Sequence, residues 1–174
     1  MLDDLTLRLA TPADARLLAE HRVAMFRDMG SIHASQEAAL LEASSAYFAA
    51  ALASGEYVGW VAHPTGEPGT AIGGAGVQIR TLLPRPDACG QGLLIGREGL
   101  VLNVYVEKAW RRRGVAREMM DEILRWAGTA GIVRLVLHAS AEGRALYETM
   151  GFVPTNEMRY TGALPPRATH PTNI

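Results

Sequence analysis

Residues 100–106, Leu-Val-Leu-Asn-Val-Tyr-Val, are the strongest buried-strand run in the chain, and the segment directly after them restricts the fold more than any other feature. Five of the 17 basic residues, Lys108, Arg111, Arg112, Arg113 and Arg117, fall within residues 108–117, with no acid among them. Gly114 lies inside this basic turn, and helical periodicity takes over after it. Val115, Met119, Ile123 and Ala127 make one apolar row and Ala116, Met120 and Leu124 the next, while Arg117, Asp121 and Arg125 can pair along the outside. The apolar face must bury, and the helix start is left open. Its first backbone N–H groups lack partners and carry roughly half a positive charge, and Gly114 offers no Cβ to obstruct a phosphate. Strand, glycine turn and helix together predict an anion site.

The rest of the chain alternates strands and helices. Leu5, Leu7 and Leu9 have the period of a half-buried strand, and Thr11, Pro12 and Asp14 then open a helix that ends at Gly30. Ser35 is the expected cap of a second, sparsely charged helix that packs into the core and stops at Gly55. Residues 57–63 and 71–80 read as a hairpin, 83–99 as a Pro- and Gly-rich loop, and 132–138 as another buried strand. A short helix over 141–150 stops at Gly151, residues 158–164 form a last strand, and 165–174 make a loose tail. Gly73-Gly74-Ala75-Gly76 suggests dinucleotide binding, but it lies within a strand pattern and lacks the third glycine. Backbone crowding or a bulge is the better reading.

Composition narrows the class. With 174 residues, 48% hydrophobic, and 17 Lys and Arg against 18 Asp and Glu, the chain can bury a full core and carries a formal charge of −1. Neither a disordered segment nor a disulfide mini-scaffold fits, and a surface that binds nucleic acid or membrane throughout would need an excess of cations. A single domain over residues 1–164 is expected. Its only cysteine, Cys89, allows no internal disulfide, the opening residues lack a secretory signal, and residues 43–53 are about half the roughly 20 needed to span a membrane. A cytoplasmic protein is expected. The histidines, His21, His33, His63, His138 and His170, show no short metal-ligand spacing, so no metal is expected. Without a Walker lysine followed by Ser or Thr, the basic turn does not read as a triphosphatase.

Arg111-Arg112-Arg113-Gly114-Val115-Ala116 resembles the Arg/Gln-x-x-Gly-x-Gly/Ala signature of the GNAT superfamily of N-acetyltransferases, and residues 145–152, Ala-Leu-Tyr-Glu-Thr-Met-Gly-Phe, resemble its Leu-Tyr-x-x-x-Gly-Phe ending. The two are in the right order with a strand between them. The resemblance implies an α/β fold: a mixed, mostly antiparallel central sheet with flanking helices, whose two central strands, 100–106 and 132–138, splay apart. It implies acetyl-CoA as cosubstrate, with the backbone of Val104 and Val106 on the pantetheine arm. The amides of Arg112, Arg113, Gly114, Val115 and Ala116 would then hold the pyrophosphate, with charge from Arg111, Arg112 and Arg113. Lys108 stands where the family often has Pro, and Ser140 where it often has Asn; Ser140 keeps a shorter hydrogen-bonding reach toward the cofactor.

Ser140, Gly143 and Tyr147 are spaced to share one helical face, and by similarity the Tyr147 phenol protonates the departing thiolate. An alkylammonium with a pKa near about 10.4 is almost wholly protonated at neutral pH, so a proton acceptor is needed before nitrogen can attack. Glu98, Glu107 and His138 are the candidates. The implied activity is direct acetyl transfer to a primary amine of a small molecule or peptide. That amine would be held between the first two helices, the 83–99 loop and the splayed strands. Two alternatives stand beside it: a non-catalytic acyl-CoA-binding module that senses cofactor or serves as a partner-binding subunit, and a nucleic-acid-binding protein using the Arg111 patch. The helix over 35–54 and the strand near Met158 offer a face for a homodimer.

Overall fold

A computed structural model of the chain describes residues 4–87 and 89–162. These fall in two units, divided between His138 and Ala139. The first unit holds a five-stranded sheet in sequence order. Its strands are β1 (Leu5–Leu9), β2 (Tyr57–Pro64), β3 (Gly73–Pro86), β4 (Leu93–Val106) and β5 (Ile132–Leu137). The first four pair antiparallel and β5 joins β4 in parallel. The helices are α1 (Ala15–Asp28), α2 (Ala34–Ser54) and α3 (Val115–Thr129), the last making the crossover that parallel strands require. The second unit contains α4 (Arg144–Thr149).

β2 is almost wholly buried because both of its faces are covered. Tyr57 and Val61 pack with Ala15, Leu18 and Ala19 of α1 and with Phe48 and Ala51 of α2. On the opposite face, Trp60 meets Trp126 of α3 edge-on at 5.4 Å. Met119, Met120 and Ile123 of α3 are fully buried, as their spacing predicts. Burial of each contributes about 1.5–3 kcal/mol. The run Gly73 to Gly76 is crowded backbone: a Cβ on Gly73 would come within 2.8 Å of the Tyr105 carbonyl, and one on Gly74 within 2.8 Å of His21 Nδ1.

Several expectations change. Residues 83–99 are mostly hairpin arm, since β3 runs on to Pro86 and β4 begins at Leu93. Pro84 and Pro86 are tolerated because β2 pairs only as far as Gln78, and a register shift between Leu82 and Arg85 absorbs the missing donor. His33, not Ser35, caps α2, its N–H donating to Gln36 Oε1 at 2.9 Å. Thr11 is the N-cap of the turn that leads into α1, and Asp14 accepts from its N–H at 2.8 Å and from its hydroxyl at 3.0 Å. β5 is only half-buried, being the sheet's last strand. The helix expected over 141–150 shortens to α4, and residues 158–162 are exposed and form no strand. Residues 163–164 and the expected tail lie outside the described residues. Cys89 is exposed near the turn of the arm.

Candidate active site

β4 changes character midway. Its ladder with β5 ends where Val101 meets Leu137, yet β4 continues to Val106. Leu102 to Val106 therefore has an edge with no β5 partner, which is the splay the resemblance implied. Between Leu102 and Tyr105 the register against β3 slips by one residue, and Asn103 occupies the left-handed region at φ 59°. Asn tolerates that conformation better than most residues. Its buried side chain also anchors it, Nδ2 donating to the Leu18 carbonyl at 3.0 Å.

The bulge sets which groups face the open edge. Glu107 N–H donates to the Ile72 carbonyl on the β3 side at 2.9 Å. Backbone groups alternate between the edges of a strand, so Val106 and Val104 turn away from β3 toward the edge that β5 leaves uncovered. Arg111 confirms the direction, because its Nε reaches the Val106 carbonyl at 2.9 Å. The Val106 N–H shares that edge.

The basic turn follows a 3-10 turn at Lys108–Trp110. Arg112 sits at φ 61° and Gly114 at φ 85°, a pair of left-handed residues that reverses the chain into α3. Glu118 donates to the Gly114 carbonyl at 3.0 Å, and no side chain among the described residues caps the helix. The amides of Val115, Ala116 and Arg117 thus precede the first helical bond. Arg112, Arg113 and Gly114 are exposed, the Arg113 guanidinium stacks on Trp110 at 5.0 Å, and the Val115 side chain is buried beneath the turn. An uncapped, positive helix start beside an unpaired strand edge fits a ligand with an extended amide-bearing arm and a diphosphate.

Two adjoining cavities open near the end of β4. One, of about 600 Å³, lies among α1, residues 70–72 and Tyr105 to Trp110. The other, of about 620 Å³, lies between α1 and α2. Ala24, Arg27, Ala71 and Glu107 line both. Residues 83–99 line neither of these two cavities. The Glu107 carboxylate accepts from Tyr105 Oη at 3.3 Å, and the Tyr105 ring lies 5.2 Å from that of buried His21. Arg27 pairs with Glu37 at 2.6 Å, bridging α1 and α2 across this wall.

The three proposed proton acceptors are separated. Of the three, Glu107 lines both of these cavities. Glu98 is 1% exposed and lies in register between Arg80 on β3 and Arg134 on β5, both of which hydrogen-bond its carboxylate. Burial alone would raise its pKa, but the two guanidiniums overcome this and hold it below the ordinary range. His138 is exposed just past β5. In the second unit, Ser140 Oγ accepts from the Gly143 N–H at 3.2 Å, capping the turn into α4. Tyr147 packs edge-on against Phe152 at 6.1 Å, and a Cβ on Gly143 would come 2.9 Å from its ring. Burial pushes the Tyr147 phenol above its usual pKa. Asn103, Tyr105 and Asp28 were missed by the sequence reading. Asn103 left a signal, as the one polar residue within an apolar strand; Asp28 left none.

A family model of the acetyltransferase (GNAT) domain matches residues 44–154, and the chain belongs to that family. It is an N-acetyltransferase, and enzymes of this family draw their acetyl group from acetyl-CoA. A GCN5-related N-acetyltransferase from Ralstonia eutropha has the same fold, with a TM-score of 0.77 and 32% identity over 90% of this chain and 97% of its own. An acetyltransferase from Clostridium acetobutylicum, whose structure contains acetyl-CoA, has a TM-score of 0.74 and 27% identity over 91% of this chain and 96% of its own. An aminoglycoside N(6')-acetyltransferase type 1 of Stenotrophomonas maltophilia is 27% identical over 159 residues, 89% of this chain and 90% of that one. Among the described residues, no group of three or more His, Cys, Asp or Glu side chains is placed to hold a metal ion, and no helix is long and apolar enough to cross a membrane.

Proposed function

We propose that this N-acetyltransferase moves an acetyl group directly from acetyl-CoA to a primary amine, with Glu107 receiving the proton that the amine must lose. The observation that carries the reading is the unpaired edge of β4, with Val104 and Val106 facing it, ending at Glu107 on the wall of two cavities. Bound acetyl-CoA supplies an activated thioester carbonyl. The Val104 carbonyl and the Val106 N–H hold the pantetheine arm as an added strand would, and the amides of residues 112–116 hold the pyrophosphate.

Glu107 takes the ammonium proton, directly or through a water, so that nitrogen can form its bond to the carbonyl carbon. Tyr105 keeps the carboxylate aimed by hydrogen-bonding Oε2. An N–H near Val106 steadies the negative oxygen as it develops. When the carbon–sulfur bond breaks, the nitrogen releases its second proton to solvent and the thiolate takes one; Tyr147 is assigned that donation by its match to the family's ending, and solvent returns a proton to the phenolate. Its raised pKa favours the protonated phenol at neutral pH. In this reading Glu98 only holds strands together, and His138 and Ser140 have no chemical step.

Thiol release from acetyl-CoA across a panel of primary amines, aminoglycosides included, tests the proposal. The parent should turn over at least one amine. Glu107→Gln should lose about 10²–10⁴ in kcat/KM while still binding acetyl-CoA, and Tyr147→Phe should lose kcat. Full activity of Glu107→Gln would reject the assigned base.

A further inference from the structure

Arg111 is the first residue of the anion signature, but its contacts lead elsewhere. Its Nε donates to the Val106 carbonyl at 2.9 Å, its guanidinium pairs with Asp28 at the end of α1, and it lies over the Tyr105 ring at 5.7 Å. Asp28 also receives Lys108 Nζ at 3.0 Å. The Arg111 hydrogen bond, with Lys108, holds the Asp28 carboxyl below its ordinary pKa, so the pair is charged at neutral pH. One side chain thus joins the open edge of β4, the ring that orients Glu107, and the helix end that walls the first cavity. A guanidinium already matched to a carboxylate and a carbonyl has little remaining attraction for phosphate.

We propose that Arg111 is a positioning residue: with Asp28 it straps α1 to the unpaired edge of β4, fixing Val106 and the Tyr105–Glu107 pair for transfer, and it does not bind the diphosphate. The assignment rests on the roles given above to Val106 and Glu107. It makes the first arginine of the signature part of the acceptor machinery, and leaves the phosphates to backbone amides.

The test compares Arg111→Gln, Asp28→Asn and the double variant. Acetyl-CoA affinity is measured by calorimetry at low and high salt. Kinetics use the amine that the parent acetylates fastest, with kcat expressed per acetyl-CoA-binding site so that unfolded protein does not count. A strap predicts acetyl-CoA affinity within about threefold of the parent in all three, because no phosphate contact is removed. It also predicts kcat per site lowered roughly tenfold to a hundredfold, as misplacement of reacting groups does. The double variant should be no worse than either single one, because each breaks the same link. Arg111→Lys, which keeps the charge but not both bonds, should recover part of kcat.

Acetyl-CoA binding weakened by roughly tenfold or more in Arg111→Gln, with a shallower salt dependence and no such change in Asp28→Asn, would make Arg111 a phosphate ligand and overturn the proposal. Losses in kcat that multiply in the double variant would overturn it as well. If Arg111→Gln does not fold, Asp28→Asn carries the same comparison. Should the parent acetylate no amine, the proposed function fails, while the affinity measurements still decide whether Arg111 meets phosphate.

Discussion

Replacing Glu98 with glutamine should cost stability and leave the chemistry intact. Strand register puts this carboxylate directly between Arg80 and Arg134, and with 1% exposure it has no water to fall back on. Glutamine has the same shape but loses the charge, and its amide nitrogen must face a guanidinium. Breaking a fully buried pair costs about 3–5 kcal/mol. Here the arginine side chains are 54% and 35% exposed and can relax into solvent, which lowers the expectation to about 2–3 kcal/mol. For a chain of this size that is a fall in Tm of roughly 4–12 °C. Because the folded-state pKa of Glu98 lies below the ordinary range, its stabilisation is complete above the unfolded pKa and disappears as pH falls through the folded value. Urea denaturation of parent and variant should therefore differ most at neutral pH and converge in acid. A variant as stable as the parent at pH 7, or a stable variant whose kcat/KM has collapsed, would refute the structural assignment and make Glu98 a candidate base again.

Three further outcomes can be checked directly. Gly114→Val places a β-branched residue at φ 85°, costing at least about 1–2 kcal/mol, and it should weaken acetyl-CoA binding measured by calorimetry more than it lowers Tm. Burial lowers the His21 pKa from 6.5 to about 4, so the neutral ring is the folded form. The parent should lose on the order of 3 kcal/mol of stability as pH falls from about 6.5 to about 4, and His21→Phe should flatten that slope in a denaturation series. Tyr57 is fully buried with a hydroxyl that has no hydrogen-bond partner among the described residues, so Tyr57→Phe should leave urea stability unchanged or raise it by up to about 1 kcal/mol.

Local physics made much of this protein legible from its residues in order. A 3.6-residue apolar period, a glycine that permits a left-handed turn, and an unbroken apolar strand are properties of neighbours in the chain, and they located α3, its open N-terminus and the central part of β4. The crowding behind Gly73 to Gly76 was also readable, because repeated glycine within a strand pattern signals close backbone. What only the tertiary structure decided depends on partners far apart in sequence. Glu98, Glu107 and His138 are equally plausible proton acceptors in one dimension. In three, Glu98 is neutralised by Arg80 and Arg134 from neighbouring strands, and Glu107 lines the two cavities at the end of β4. Arg111 reads as a phosphate ligand until Asp28, 83 residues away, is seen to hold it. The hairpin arm over 83–99 looked like a loop because its prolines are forbidden within a paired ladder, and only the end of the β2–β3 ladder, where Tyr57 meets Gln78, leaves them an unpaired edge. A side chain's charge is written in its own chemistry, but whether that charge is spent on structure or left for substrate is set by what the fold brings beside it.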